Sequence, residues 1–280
     1  MFSTGFFSLN GQLHPQDTNI FSTQNRALRY GDGLFETMRM LNGKIMFFKY
    51  HMDRLFRGMD VLKIDYHKAF DSEFVASEIF ALARANKIYK NARIRFAVYR
   101  DDGGWYTPEK NTFNYIIEMQ ALNEDTYIVE RGLIADVYKD VRKDFGALSA
   151  LKTSNALPYV LAGVFRKENN LDECILLNSK DNIVESISSN IFLVKEDKVY
   201  TPAISEGCID GVMRKVVIEL LKNQNIAVVE TSLPATLLAH SDEIFLTNSI
   251  KGVQSVVGIG IKRYYSKLGK QLIQTLNAQQ

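Results

Sequence analysis

The sequence predicts an α+β (mixed α/β) fold with two domains and with sheets that are largely antiparallel or mixed. Strand-like runs alternate with helix-like runs, but the strands are often joined by short hairpin turns, which favours antiparallel pairing. The length of 280 residues suits two domains better than one. A polar stretch, NEDTYIVERG, separates strand-like runs, so we place the join near residues 118–126 and expect domains at residues 1–120 and 121–280.

Asn-Gly pairs predict the first two hairpins. Asn10-Gly11 divides the run GFFSLNGQL, and Asn42-Gly43 separates FETMRML from KIMFF. Both residue types tolerate the positive φ angles of two-residue hairpin turns. The period then changes to steps of four and three, which predicts an amphipathic helix whose apolar stripe is Phe48, Met52, Leu55, Met59 and Leu62.

The remaining elements follow in chain order. A second helix is predicted at SEFVASEIFALARANKI, followed by strands at ARIRFAVYR and FNYIIEMQAL. Beyond the join, the strand-like runs are LIADVYK, ECILLN, VESISSNIFLV, KVYTP, AVVETSL and EIFLTN, with a helix at GVMRKVVIELLKNQ. The stretch SALKTSNALPYVLAG predicts a buried helix with Lys152 at its mouth, because apolar residues recur there at helical spacing: Leu157, Val160, Leu161 and Val164.

Composition excludes several classes of function. The net charge of +2 is the remainder of 34 basic and 32 acidic residues, which gives no electrostatic case for nucleic acid. No apolar run reaches the roughly 20 residues that span a bilayer, and the N-terminal stretch lacks a basic region and a cleavage-like site, so we expect no membrane partner and a cytoplasmic location. Two distant cysteines and four histidines predict neither a metal site nor a disulfide framework.

Lys152 and Arg54 are the first candidates for chemistry. At the mouth of an apolar run, the Lys152 ammonium is either a solvated helix-start lysine or an amine placed for reaction. Arg54 follows His51 by three residues on the predicted helix, so it is either a solvated edge residue or an anion ligand. The stretch GCIDGVMR enters a helix whose free N–H groups at Val212 and Met213 would suit an anion, although Asp210-Gly211 would also serve as a simple cap.

Two polar clusters complete the set. Glu185 is followed by serines and Asn190 where strand alternation would favour apolar residues, so it either faces water or lines a site. Thr247-Asn248-Ser249 ends a strand-like run, and such short side chains form loops or donate to phosphate. Together the candidates supply what pyridoxal 5′-phosphate requires, namely a Schiff-base lysine, a phosphate cup and an acid that keeps the pyridine nitrogen protonated.

Six motifs, in this order, resemble the class-IV, fold-type-IV pyridoxal-phosphate enzymes: RYGDGLFETMR, HMDRL, LKTSNALPYVLA, VESISSNIF, TPAISEGCIDGVMR and LTNSIKGVQ. The family includes branched-chain aminotransferases, D-amino-acid aminotransferases and 4-amino-4-deoxychorismate lyases, and the resemblance extends from about residue 5 to residue 275. It implies a smaller N-terminal α/β domain, a larger C-terminal domain with the cofactor between them, and a homodimer.

The resemblance also implies roles for individual residues. Lys152 resembles the Schiff-base lysine, Glu185 the partner of the pyridine nitrogen and Arg54 the phosphate arginine. The rest of the implied cofactor set comprises Asn248, Ser249 and the backbone around Ile209, Val212 and Met213. Two positions depart from the family pattern: Met213 stands where the aminotransferases often have threonine, and Leu157 stands where the branched-chain enzymes have tyrosine, with Tyr159 two residues later. The holder of the ring hydroxyl therefore stays open.

The favoured function is an aminotransferase that moves an amino group between an amino acid, branched-chain-like by preference, and a 2-oxo acid through Lys152. The alternative is 4-amino-4-deoxychorismate lyase, which eliminates pyruvate and gives 4-aminobenzoate, and a non-catalytic cofactor-binding homologue is a third. Candidates for the substrate carboxylate are Tyr30, Arg39, Arg95 and Arg100. Strand alternation puts Arg95 and Arg100 on opposite faces, and we favour Arg100 because it adjoins the turn DDGG.

Overall fold

A computed structural model of the chain describes residues 5–278. The expectation of a cytoplasmic location was drawn from the N-terminal stretch, and residues 1–4 of that stretch lie outside the described residues. The strands are β1 Phe6–Leu9, β2 Gln12–Pro15, β3 Gly33–Leu41, β4 Lys44–Ile45, β5 Ala92–Arg100, β6 Phe113–Ala121, β7 Leu133–Tyr138, β8 Glu173–Leu177, β9 Ile183–Ser186, β10 Asn190–Lys195, β11 Lys198–Pro202, β12 Val228–Thr231, β13 Glu243–Asn248, β14 Gly252–Ile259 and β15 Lys262–Arg263. The helices are α1 Arg26–Tyr30, α2 Phe48–Val61, α3 Ser72–Ala85, α4 Leu157–Glu168, α5 Val212–Asn223, α6 Leu237–His240 and α7 Lys267–Asn277, with a 3₁₀ turn at Ile204–Glu206.

Two units divide the chain. The first runs to Asp125 and takes in Leu151–Asn155, and the second comprises Thr126–Ala150 and the chain from Ala156 onward. The predicted α+β class is confirmed, because helices and antiparallel or mixed sheets occur in both units. The expected domain boundary between residues 120 and 121 stays a prediction. Within the described residues, no helix is long and apolar enough to cross a membrane.

The first unit contains an antiparallel sheet in the order β2-β1-β6-β5-β3-β4. Both predicted Asn-Gly hairpins are confirmed: each asparagine and glycine has a positive φ, at 50° and 81° for Asn10 and Gly11 and at 49° and 80° for Asn42 and Gly43. Helices α2 and α3 pack on one face of this sheet, and the core between them includes Leu34, Met38, Met52, Leu55, Ile79 and Phe96.

The second unit contains a mixed sheet in the order β12-β11-β10-β13-β14-β7-β8-β9, with β15 paired to β14. The pairs β11–β12, β7–β14 and β7–β8 are parallel. Helix α5 contacts β12 and β13, helix α7 contacts β13 and β14, and helix α4 contacts β8. The prediction of one strand over VESISSNIFLV is wrong, because β9 ends at Ser186 and β10 begins at Asn190. The Ser186 N–H donates to the Ser189 carbonyl over 2.8 Å and closes a turn between them.

The prediction for α4 requires two corrections. The helix begins at Leu157, so Lys152 lies five residues before it and not at its mouth. The helix buries a different face from the one that apolar spacing indicated, because Tyr159, Ala162 and Phe165 pack against Cys174 and Leu176 of β8. The predicted apolar stripe is 45–73% exposed, and it consists of Leu157, Val160, Leu161 and Val164.

Candidate active site

Lys152 lies on a short segment that extends the sheet of the first unit beyond β3. The Phe35 N–H donates to the Lys152 carbonyl and the Ser154 N–H donates to the Gly33 carbonyl, each over 2.9 Å. Leu151, next to the lysine, is buried in the core of the first unit. Because the backbone is hydrogen-bonded to β3 at residues 152 and 154 and is anchored by the buried Leu151, the segment fixes the origin of the lysine side chain.

The Lys152 side chain is half-buried and lies over an aromatic ring. Its Nζ is 4.4 Å from the centroid of the Phe35 ring, and the guanidinium carbon of Arg95 is 4.2 Å from the same centroid. The face of an aromatic ring attracts cations, so the Phe35 ring stabilises the positive charges of both side chains. The amine of Lys152 is held in this way while its residue stays half-buried.

The buried carboxylate of Glu36 binds two side chains of helix α2, His51 and Arg54. Glu36 was not among the candidates predicted from the sequence. Glu36 Oε1 accepts from Arg54 Nε over 2.8 Å, and Glu36 Oε2 lies 2.5 Å from Arg54 Nη2 and 2.6 Å from His51 Nδ1. Burial alone would raise the pKa of Glu36, but the Arg54 charge and the hydrogen bonds from His51 and Arg54 lower it to about 2. Glu36 is therefore an anion at neutral pH.

The charges of this cluster and the charge of Lys152 both act on the pKa of His51. Burial lowers the pKa of His51; Glu36 opposes that effect, while the charges of Arg54 and Lys152 add to it. Arg54 was predicted as a phosphate ligand, and the structure shows part of its guanidinium bound to Glu36. A sequence signal for Glu36 did exist, since a charged residue alternates with apolar ones on the buried face of β3.

The four candidates for the substrate carboxylate lie in different surroundings. Arg100 is buried, and its guanidinium donates to Asp32 over 2.9 Å, to Asn111 over 2.8 Å and to the Leu62 and Lys63 carbonyls. Such an arginine supports the fold around it, and its geometry gives the substrate assignment no support. The preference for Arg100 over Arg95 was based on the neighbouring turn DDGG. The hydrogen-bond partners of Arg100 could not be inferred from that turn.

Arg95 has the more open arrangement. Its Nε is 3.7 Å from Glu118 Oε2, and its Nη1 is buried without a hydrogen-bond partner among the described residues. Arg39 is buried and donates to the Glu124 carbonyl over 3.2 Å. The ring of Tyr30 packs against that of Tyr106, with the centroids 5.4 Å apart.

In the second unit, Glu185 is buried at 3% exposure and accepts from three donors. Its Oε1 lies 2.6 Å from the Tyr159 hydroxyl and 2.8 Å from Lys143 Nζ, and its Oε2 accepts from the Ile209 N–H over 3.0 Å. Since a carboxylate offers about four acceptor positions, one position remains for a donor from a ligand. No sequence motif indicates Lys143, which lies in a polar stretch without any periodic pattern.

The turn that begins at Ile209 leads into the N-terminus of α5. Asn190 donates to the Ile209 carbonyl over 2.8 Å, and any Cβ at Gly211 would collide with Asn190 Oδ1. Gly211 is the N-cap and provides no side-chain cap, so the first-turn N–H groups of this helix, at Val212 and beyond, keep their capacity for an anion. The Met213 side chain is buried, so only its backbone could face an anion.

A cluster of short polar side chains lies at the end of β13. Asn248 donates to the Ser189 hydroxyl over 2.8 Å, and its Oδ1 accepts from the N–H groups of Ile250 and Lys251 in a turn that also includes Ser249. Thr247, opposite Asn190 in the sheet, has a buried hydroxyl without a hydrogen-bond partner among the described residues. A buried hydroxyl in that state is unfavourable unless a ligand or water satisfies it.

Each unit, taken by itself, contains groups of the kinds that pyridoxal 5′-phosphate requires. In the first unit an amine lies over an aromatic ring. In the second unit lie a buried carboxylate with an open acceptor position, a helix N-terminus without a side-chain cap and a buried hydroxyl without a partner among the described residues. Amine, acid and anion site are the three groups that this cofactor requires.

Comparison with known proteins identifies the family. The family described as amino-transferase class IV matches residues 33–259. The chain belongs to this family. A Methanocaldococcus jannaschii protein that bears the name branched-chain-amino-acid aminotransferase is 31% identical over 90% of this chain and 86% of its own length. An aminodeoxychorismate lyase from Vibrio harveyi is 25% identical over 84% of this chain and 86% of its own length.

Solved structures of branched-chain aminotransferases have the same fold. The branched-chain aminotransferase of the archaeon Thermoproteus uzoniensis, crystallised with norvaline, superposes with a TM-score of 0.88 and 22% identity over 98% of this chain and 94% of that one. The class IV aminotransferase fold and family predicted from the six motifs are therefore confirmed. Since relatives of this chain bear the names of both an aminotransferase and a lyase, the choice of reaction depends on the site.

Proposed function

We propose that this protein is a pyridoxal-phosphate-dependent aminotransferase that moves an amino group between a branched-chain-like amino acid and a 2-oxo acid. The observation that carries the proposal is the placement of Lys152, with its backbone bonded to β3 and its Nζ 4.4 Å from the centroid of the Phe35 ring, which the Arg95 guanidinium also contacts at 4.2 Å. A reactive amine and a cation for a carboxylate thus contact the same aromatic ring.

The cofactor-binding residues follow from the family pattern and from the local geometry. Lys152 would hold pyridoxal 5′-phosphate through a Schiff base, and Glu185 would accept a hydrogen bond from the protonated pyridine nitrogen. The phosphate would be held by Arg54, the α5 N-terminus and the cluster at Asn248 and Ser249. When bound, the cofactor supplies an electron-withdrawing ring that acidifies the α-proton of the substrate.

Protein residues then perform the proton transfer. With the cofactor held by these residues, the Lys152 amine would act as general acid–base and move the proton at the substrate Cα. The fixed backbone of residue 152 restricts where the amine can reach, which favours transfer over a short path. Arg95, whose buried Nη1 has no hydrogen-bond partner among the described residues, would bind a substrate carboxylate. Its charge-assisted hydrogen bonds would orient the substrate.

The test is a single-turnover reaction with the cofactor-loaded protein. Wild type should show the visible absorbance of a lysine Schiff base and should lose it when an L-branched-chain amino acid converts the cofactor to its amino form. Lys152→Ala should bind cofactor without that absorbance. If wild type and Lys152→Ala have identical spectra after addition of pyridoxal phosphate, the proposal is wrong.

The second candidate is 4-amino-4-deoxychorismate lyase, and it is supported by the similarity to the Vibrio harveyi lyase over 84% of this chain. The same Lys152 would remove the proton before pyruvate leaves. Release of 4-aminobenzoate from aminodeoxychorismate without accumulation of the amino form of the cofactor would establish the lyase. Accumulation of the amino form with amino-acid donors would establish the aminotransferase.

We also propose that the protein is a homodimer. The stripe on α4 formed by Leu157, Val160, Leu161 and Val164 is apolar, spans two helical turns and is 45–73% exposed in the single chain. Contiguous exposed apolar patches are typical of interaction surfaces in soluble proteins. A second copy of the chain is the partner that the family resemblance implies, and burial of this stripe would account for its composition.

A further inference from the structure

Lys143 is a buried cation to which the proposed function assigns no role. The residue is only 9% exposed, and its backbone N–H donates to the Leu177 carbonyl at the end of β8 over 2.9 Å. The ammonium contacts Glu185 Oε1 at 2.8 Å, donates to the Ser149 carbonyl over 3.2 Å and donates to the Gly207 carbonyl. The ammonium has three N–H groups and three acceptors, so its charge is fixed beside Glu185.

Lys143 shares one carboxylate oxygen of Glu185 with a neutral donor. Tyr159 donates to the same Oε1 over 2.6 Å, while the Ile209 N–H holds Oε2. If Lys143 were replaced by a neutral residue, each carboxylate oxygen would keep one of these donors. The orientation of Glu185 would therefore persist, and the main change would be the loss of a positive charge.

The other groups that face this pair do not replace that charge. Burial raises the pKa of Tyr159, and the Glu185 charge and hydrogen bond raise it further. Burial and then the Glu185 charge raise the pKa of the Cys208 thiol to about 12, so both groups are neutral at pH 7. The charged neighbours are the carboxylate of Asp210 on the turn and the guanidinium of Arg214 on α5, and Arg214 is bound to Glu230 at 2.7 Å.

We propose that Lys143 acts through Glu185: its positive charge weakens the attraction of this carboxylate for a proton on the ring nitrogen of the cofactor. The inference rests on the proposed function, because it requires that Glu185 faces the ring nitrogen. A cation in contact with a carboxylate offsets its negative potential, and the effect is large at a buried site of low dielectric. The ring withdraws electrons most strongly while this nitrogen is protonated, so a weaker hold on the proton narrows the pH range over which the cofactor is an effective electron sink.

The test reports protonation directly and does not depend on turnover. The protein is loaded with pyridoxal phosphate labelled with ¹⁵N in the ring, and the ¹⁵N chemical shift is followed against pH. Lys143→Met and Lys143→Gln both remove the charge, and the second serves if the first does not fold. Lys143→Arg keeps the charge, and Tyr159→Phe removes a neutral donor from the same oxygen.

We expect the midpoint of deprotonation to rise by about one pH unit or more in the two neutral variants. The Lys143→Arg midpoint should match wild type, and the Tyr159→Phe midpoint should move by less than that of the neutral lysine variants. A neutral-variant midpoint at or below that of wild type would overturn the proposal. So would equal shifts in Lys143→Met and Tyr159→Phe, or a wild-type nitrogen that stays protonated wherever the protein is folded. Absence of Schiff-base absorbance in wild type would instead refute the proposed function.

Discussion

Glu36→Gln should destabilise the protein strongly at neutral pH, because Glu36 neutralises a buried cation. Its side chain is 1% exposed, and its two oxygens bind Arg54 and His51 at 2.5–2.8 Å. Glutamine has nearly the same shape and keeps an acceptor for Arg54, so the change removes charge with little loss of volume. Leaving a buried cation without its anion costs about 3–5 kcal/mol.

The pKa of Glu36 gives an independent magnitude and the pH window. Its fall from the ordinary 4.5 to about 2 in the folded protein corresponds to about 3 kcal/mol of stabilisation by the ionised form. Because the folded-state pKa is lowered, this stabilisation is complete above pH 4.5 and is lost as the pH falls towards 2. By pH 3 about 2 kcal/mol of it is gone.

Urea unfolding of wild type and Glu36→Gln between pH 7 and pH 3 measures this difference. The gap in the free energy of unfolding should be about 3 kcal/mol at pH 7 and about 1 kcal/mol at pH 3. Glu118→Gln is the control, because its carboxylate is 55% exposed and lies 3.7 Å from Arg95, and it should change stability by less than about 1 kcal/mol. A Glu36→Gln gap below about 1 kcal/mol at pH 7, or one that does not change with pH, would refute the reasoning.

Three further predictions concern the substrate and the assembly. Arg95→Met should raise the KM for the 2-oxo acid about tenfold or more with a smaller change in kcat, because a charge-assisted hydrogen bond to the substrate is lost. Arg100→Met should leave KM unchanged and lower the melting temperature, because it breaks the buried pair with Asp32; the opposite pattern in steady-state kinetics would exchange the two roles. Leu161→Glu should convert a dimer to a monomer in light scattering while Ile261→Glu, at a fully exposed position, should not, and a Leu161→Glu dimer would contradict the assignment of the α4 stripe.

Local patterns predicted most of the fold. The predictions for α2 and β5 are confirmed, because their apolar residues repeat with the period of the element. Both Asn-Gly turns are confirmed, because the positive φ of a two-residue turn favours these residue types. The predicted continuous strand at VESISSNIFLV is wrong, because the turn at residues 187–189 interrupts a run whose composition alone did not indicate a break.

The helix α4 shows where periodicity fails. Its apolar spacing predicts a helix, which the structure contains, but spacing cannot distinguish a face buried in the chain's own core from one exposed for a partner. The side that packs against β8 carries Tyr159, Ala162 and Phe165, and the more regular apolar stripe is exposed. A pattern within one segment contains no information about which neighbours that segment meets.

The sequence by itself determined the class of fold, the family and the identities of Lys152, Arg54 and Glu185 as candidates, because these depend on residue types in an ordered set of motifs. Only the tertiary structure showed that Glu36 binds Arg54 and that Lys143 binds Glu185. The second pair joins residues far apart in the chain, on segments whose composition gives no signal of contact. Charges interact through space, so their partners are decided by the packing of sheets and helices.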